Sequence, residues 1–149
     1  MAKTLIVGVG SILRGDDGIG VRVLDELEKL DVPDNVKLYS GDISGLDLLK
    51  IFPGFDKVII VDAADMNEGP GTIKVLRAAQ IKKSDFKDQF STHGMALLET
   101  LTLADKLDMT CEITIVGIQP EDTGFNLKLS ERISAKISEV VEMVKELIQ

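Results

Sequence analysis

The chain alternates short, almost uninterrupted apolar runs with longer stretches in which apolar positions recur every three or four residues. Lys3 to Val9 is one such run, closed by Gly8-Val9-Gly10, and Lys57 to Ala63 contains Val58, Ile59, Ile60 and Val61 in sequence. A strand covered on both faces has no reason to alternate apolar with polar side chains, so both read as strands within a parallel sheet. Gly18 to Leu30 instead spaces Ile19, Val21, Val23, Leu24, Leu27 and Leu30 among acids and bases, the pattern of an amphipathic helix. Pro33-Asp34-Asn35 marks a turn before a second strand, Val36 to Ser40. The small-residue connection Gly41 to Gly45 then leads to a short helix, Leu46 to Phe52, which Pro53 and Gly54 terminate.

After the turn Glu68-Gly69-Pro70-Gly71, the segment Thr72 to Leu76 does alternate, which fits an edge strand. Arg77 to Phe90 is polar and irregular, and Ser91 or Thr92 is placed to cap a helix over about Gly94 to Lys106. Glu112 to Ile118 reads as the last strand. Ser130 then caps a closing helix to Ile148, whose stripe is Ile133, Ile137, Val140, Val141, Val144 and Leu147. Strands alternating with helices predict one α/β domain over residues 1–149. The expected architecture is a three-layer sandwich with a mostly parallel, twisted sheet of about five strands, helices on both faces and one antiparallel edge strand.

Composition narrows the partners. The 149 residues, 44% of them hydrophobic, are enough for a real core, and a formal charge of −8 disfavours both nucleic acid and an acidic partner. No apolar run approaches the roughly 20 residues needed to span a bilayer, and the start shows no signal-peptide pattern, so the expected location is cytoplasmic, without membrane insertion. The single cysteine, Cys111, has no partner for an internal disulfide and reads as a small buried side chain.

The candidate chemistry lies where such a sheet would gather it. Ligands of open α/β sheets bind outside the carboxyl ends of the strands, where successive connections diverge to opposite faces. The pair Asp16-Asp17 follows the first strand, Asp62 ends the third, and His93, the only histidine, stands at the start of a helix. Of the adjacent acids, one can cap the helix while the other faces the cleft. Two carboxylates and an imidazole suit nickel, zinc, manganese or iron with coordination positions left open, and the absence of clustered thiolates excludes a closed structural zinc site. Gly8 and Gly10 suggest a dinucleotide turn, but Leu13 stands where a small residue is required and the two acids would repel phosphate. No Ser or Cys falls into a triad with His93 and an acid.

Four blocks, in this order, resemble one family: GVGSILRGDDGIGVRVLDEL, VIIVDAADMNEGPGTIKVL, STHGMAL and VGIQPEDTGFNLKLS. They look like the hydrogenase maturation endopeptidases, and the DAADMNEGPG, STHGM and GIQPEDTGF wording is most similar to members that process formate-hydrogenlyase and energy-converting hydrogenases. The resemblance implies an endopeptidase that removes the C-terminal extension of a nickel-iron hydrogenase large-subunit precursor after nickel insertion. It assigns Asp17, Asp62 and His93 as both catalytic residues and metal ligands. The nickel would come with the precursor, no permanently bound organic cofactor is expected, and the enzyme would be a monomer. Family members often carry Asp-Gly-Gly-Ser or Asp-Gly-Gly-Thr after the second strand; here Ser40-Gly41-Asp42-Ile43-Ser44 departs from that wording. Two other readings use the same residues: a nickel-binding or delivery module without proteolysis, and a nucleotide-binding regulatory domain built on the glycine turn.

Overall fold

The computed structural model describes residues 2–41, 45–78 and 111–149. Within them the strands are β1 (Thr4–Val9), β2 (Val36–Gly41), β3 (Lys57–Ala63), β4 (Ile73–Arg77) and β5 (Glu112–Ile118). The helices are α1 (Ile19–Glu28), α2 (Gly45–Ile51), α3 (Glu131–Ser134) and α4 (Ile137–Ile148), and a short 3-10 helix, Gly15–Gly18, precedes α1. The strands form one five-stranded sheet in the order β2-β1-β3-β5-β4. All pairs are parallel except β4 with β5, so the alternating segment is indeed the antiparallel edge.

Strand identity follows from burial. β1 is buried at every position and β3 and β5 at six of seven, which their unbroken apolar runs require; β2 and β4, at the edges, are mostly half-buried or exposed. Period-two geometry sends alternate side chains to opposite faces. On one face Ile6, Ile59, Val61, Val116 and Ile118 pack with Ile19, Val23, Leu24 and Leu27 of α1 and Val140, Val141 and Val144 of α4. On the other, Leu5, Val7, Val58, Ile60 and Ile115 pack with Leu48 and Phe52 at α2. The sandwich is therefore three layers deep.

Two predicted details change. The closing helix is not continuous: α3 stops at Ser134, and turn residues Ala135 and Lys136 separate it from α4. Leu30, expected on the inner stripe of the first helix, lies beyond the end of α1 and is 43% exposed. The segment expected to be irregular, Arg77 to Phe90, lies outside the described residues apart from Arg77 and Ala78, and the helix expected near 94–106 lies wholly outside them. Among the described residues, no helix is long and apolar enough to cross a membrane.

The topology has one point of reversal. From β1 the chain crosses by α1 to β2 on one side, then by α2 to β3 on the other side of β1. Connections leaving the carboxyl ends of β1 and β3 therefore part company, the position at which open α/β sheets generally bind their ligands. Glycine brings α1 close to both strands there. A Cβ on Gly20 would stand 2.2 Å from the Val61 carbonyl oxygen, and one on Gly8 would stand 2.4 Å from that of Gly20. Because these obstacles are backbone, they cannot rotate away. Gly8→Ala and Gly20→Ala are each expected to destabilise the fold by about 2–3 kcal/mol through overpacking. Gly69→Ala, with nothing within 4 Å of the added carbon, should shift stability by less than about 0.5 kcal/mol; urea unfolding midpoints of the three variants provide the comparison.

Candidate active site

Asp16, Asp17 and Asp62 are all buried, with relative exposures of 0%, 1% and 2%. A carboxylate at such depth requires donors or a cation, and the two neighbours Asp16 and Asp17 obtain theirs in different directions. In the 3-10 helix successive side chains diverge, which separates their tasks as the sequence suggests.

Asp16 is a clamp. Its Oδ2 accepts hydrogen bonds from the backbone N–H of Glu121 (3.0 Å) and Asp122 (2.9 Å) and from the Ser130 hydroxyl (2.8 Å), while Oδ1 accepts the Ser130 N–H (2.7 Å). Backbone bonds run alongside: the Asp16 N–H donates to the Asp122 carbonyl at 2.8 Å, Gly15 to Asn126 at 2.8 Å, and Asn126 back to Leu13 at 3.0 Å. The expectation that one acid caps the first helix is corrected here. Gly18 is the residue that precedes α1, and it makes no side-chain cap. Asp16 spends its lone pairs on the loop after β5 instead. Ser130 does hold the position before α3, but its hydroxyl turns to Asp16 and does not cap its own helix.

Asp17 turns toward the end of β1. Its Oδ2 accepts the Ser11 N–H at 2.9 Å, across the tight turn that leaves β1. Gly10, with φ +135°, lies so close that a Cβ there would meet the Asp17 carbonyl oxygen at 1.9 Å. The glycine turn is thus filled by its own chain, and the Ser11 amide that could have faced a phosphate already faces a carboxylate. That is the physical reason the nucleotide reading fails at this turn.

Asp62 is the next-to-last residue of β3, the central strand, opposite Gly117 of β5. By alternation it continues the row of Val58 and Ile60 toward the face that α2 covers. The 3-10 helix bearing Asp17 contacts β3 directly, and Gly20 lies against Val61, the residue before Asp62. The structure therefore brings Asp17 and Asp62 to the same edge of the sheet at its point of reversal. His93 lies outside the described residues. Among the described residues, no three His, Cys, Asp or Glu side chains gather as a metal site; two buried carboxylates are what this edge contributes.

One residue escaped the sequence reading. Gln119, 7% exposed, directly follows β5. Its Oε1 accepts the N–H groups of Met66 (2.6 Å) and Glu68 (3.4 Å), and its Nε2 donates to Asp65 Oδ1 at 3.1 Å. It thereby ties the loop after Asp62 to the end of the neighbouring strand. Like Asp62, Gln119 is a polar residue at the end of a buried apolar run, and that signal is present in the sequence.

Cys111 stands just before β5 rather than within it, at the opposite end of that strand from Gly117 and Asp62. It is half-buried against the Leu48–Phe52 face, and desolvation pushes its thiol pKa up, only partly offset by a backbone hydrogen bond. A thiol held protonated on the amino-terminal edge of the sheet is no nucleophile for chemistry at the carboxyl edge.

This mostly parallel five-stranded sheet with helices on both faces is the fold of a known class of peptidases. The hydrogenase maturating endopeptidase HybD of E. coli superposes with a TM-score of 0.81 at 30% identity, covering 95% of this chain and 89% of its own. A [NiFe] hydrogenase maturation protease HycI from Thermococcus kodakarensis superposes with a TM-score of 0.77 at 26% identity, covering 97% and 91%. In sequence, the hydrogenase 2 maturation protease of Escherichia coli is 32% identical over 145 residues, which is 95% of this chain and 88% of that protein. The family model described as hydrogenase maturation protease matches residues 21–147. The chain belongs to the hydrogenase maturation protease family.

Removing the Asp16 carboxylate strands four donors at once. Asp16→Ala is therefore expected to destabilise the fold by at least about 3 kcal/mol, well beyond the roughly 1 kcal/mol of a lost helix cap. Amide hydrogen exchange should locate the damage, with protection lost at Glu121, Asp122 and Ser130. For Cys111, iodoacetamide labelling of the folded protein should reach half its limiting rate at a higher pH than labelling of the urea-unfolded chain. An equal or lower midpoint would show that burial does not hold the thiol protonated.

Proposed function

We propose that this protease removes the C-terminal extension of a nickel-iron hydrogenase large-subunit precursor, and that Asp17, Asp62 and His93 engage nickel carried by that precursor. The observation that supports this reading is the pair of buried carboxylates, Asp17 and Asp62, at one edge of the sheet beside the reversal point. Oxygen donors of this kind with an imidazole suit a borderline divalent metal. Three ligands leave coordination positions for the substrate, so the metal can arrive already held by the precursor.

In this mechanism the precursor's nickel docks against the carboxylates and fixes the tail beside them. One carboxylate takes a proton from water as the water oxygen attacks the scissile carbonyl carbon. The tetrahedral intermediate collapses, the C–N bond breaks, and the same proton passes to the leaving amine. Water is the only co-reactant, and the protein needs no covalent intermediate. The wording of the GIQPEDTGF block supports a precursor of the formate-hydrogenlyase or energy-converting type. A cytoplasmic monomer accords with this role, since the substrate is a folded precursor awaiting maturation.

A purified large-subunit precursor, prepared with and without nickel, provides the test. Cleavage to the shortened product is expected only with nickel present, and Asp17→Asn, Asp62→Asn and His93→Ala should each lower it by at least about a hundredfold while the variants unfold as cooperatively as the parent. Nickel uptake without any shortened product would favour a delivery module. Normal processing by both Asp62→Asn and His93→Ala would remove the site assignment.

A further inference from the structure

The loops joined by Asp16 expose four large apolar side chains to solvent on two adjacent turns. Ile12 and Leu13, in the turn between β1 and the 3-10 helix that carries Asp17, are 41% and 49% exposed; Phe125 and Leu127, in the loop after β5, are 88% and 61% exposed. Backbone pairing holds the two groups side by side. Arg14 and Asn126 form a parallel bridge, the Asn126 N–H donates to the Leu13 carbonyl, and Gly15 donates to the Asn126 carbonyl. The Asp122 carboxylate accepts the Gly124 N–H, Asn126 Oδ1 accepts the Lys128 N–H, and the Arg22 guanidinium donates to the Leu127 carbonyl. A phenylalanine left in water on a loop fixed by so many bonds does not contribute to the core. Grouped exposed apolar side chains of this kind mark a surface meant for a partner.

Charge indicates what that partner presents. The chain carries a formal charge of −8, yet cations flank these side chains: Arg14, which bridges to Asn126, Lys128, next to Leu127, and Arg22, which bonds the Leu127 carbonyl and pairs with Asp25. Among the described residues, neither Arg14 nor Lys128 has a carboxylate partner. Proximity indicates which molecule it is. Ile12 and Leu13 lie on the same turn as Ser11, whose N–H is bonded to Asp17, so a macromolecule that delivers a metal to Asp17 comes to rest against them.

We infer that Ile12, Leu13, Phe125 and Leu127, flanked by Arg14 and Lys128, dock an apolar, carboxylate-bearing segment of the same precursor whose metal Asp17 and Asp62 engage. This rests on the function proposed above and adds the surface that gives the reaction its affinity. Aromatic side chains on rigid supports are the usual anchors of such contacts, and the neighbouring cations would speed encounter and make it sensitive to salt.

The experiment measures steady-state cleavage of the nickel-loaded precursor by the full chain and by F125S/L127S. It also measures precursor binding to D62N with and without the same two substitutions. The expected result is a KM raised at least about tenfold with kcat within about twofold, and equally weakened binding in the D62N background. Arg14→Glu should raise KM further at low salt than at high salt. Leu30→Ser, which removes an exposed apolar side chain at the other end of the sheet, should leave KM unchanged. Cleavage by F125S/L127S with parental KM, while D62N is inactive, would overturn the docking surface and leave the proposed function standing. Conversion of a dimer to a monomer by F125S/L127S with parental KM would also overturn it, by assigning the patch to self-association. If the parent protein cleaves no precursor while the D62N chain still binds it in a Phe125-dependent way, the failure lies in the proteolytic reading and not in the surface.

Discussion

A carboxylate with no exposed surface is tolerable only if donors surround it, and all four donors of Asp16 come from residues 105 to 114 positions further along the chain. The bond set costs considerable chain entropy, because the loop after β5 must be held to satisfy it. Once formed, it fixes the turn after β1 and the loop after β5 as one unit. The 3-10 helix, the orientation of Asp17 and the start of α3 all depend on it. Without those donors the Asp16 charge would be buried uncompensated, a state that proteins relieve by local opening.

The adjacency of Asp16 and Asp17 then has a mechanical meaning. One acid is saturated with hydrogen bonds from within the fold, and its neighbour is carried by that rigid frame to the edge where β1 and β3 part. Precision in a site comes from supports that are themselves locked. Gln119 performs a related task on the other side, holding the loop that leaves Asp62 to the end of β5. Glycine completes the frame: only at Gly8, Gly10 and Gly20 can the first turn and α1 lie close enough to bring the acids over the central strand.

Much of this was legible in the sequence because burial on both faces leaves an unambiguous mark. β3 and β5 have the limits their apolar runs suggest, and the alternation of Thr72 to Leu76 identified the antiparallel edge. Asp62 was legible for the same reason, as an acid closing a run of four β-branched residues. What failed to show was anything long-range. The role of Asp16 depends on backbone amides at Glu121, Asp122 and Ser130, and an amide leaves no trace in residue type. Local rules therefore favoured a helix cap for it. The break after Ser134 was hidden because Ile133, Ile137, Val140 and Val144 keep helical spacing across the turn. His93 lies outside the described residues, so its place at this edge stands as part of the proposed function.

Under the proposed function, a metal carried by the substrate and an exposed apolar surface are two separate handles on the same precursor. In that proposal a metal bound by the substrate supplies the most specific contact, and Asp17 and Asp62 offer it oxygen donors beside the His93 imidazole. Such a contact is short-ranged and cannot on its own hold a folded protein in register. The same turn that orients Asp17 carries Ile12 and Leu13 outward, and the Asp16 clamp sets Phe125 and Leu127 beside them. Asp17, proposed to meet the metal, and the apolar side chains proposed to meet the precursor thus share one support. Displacing that support would disturb both together, whereas trimming the exposed side chains would disturb only the second.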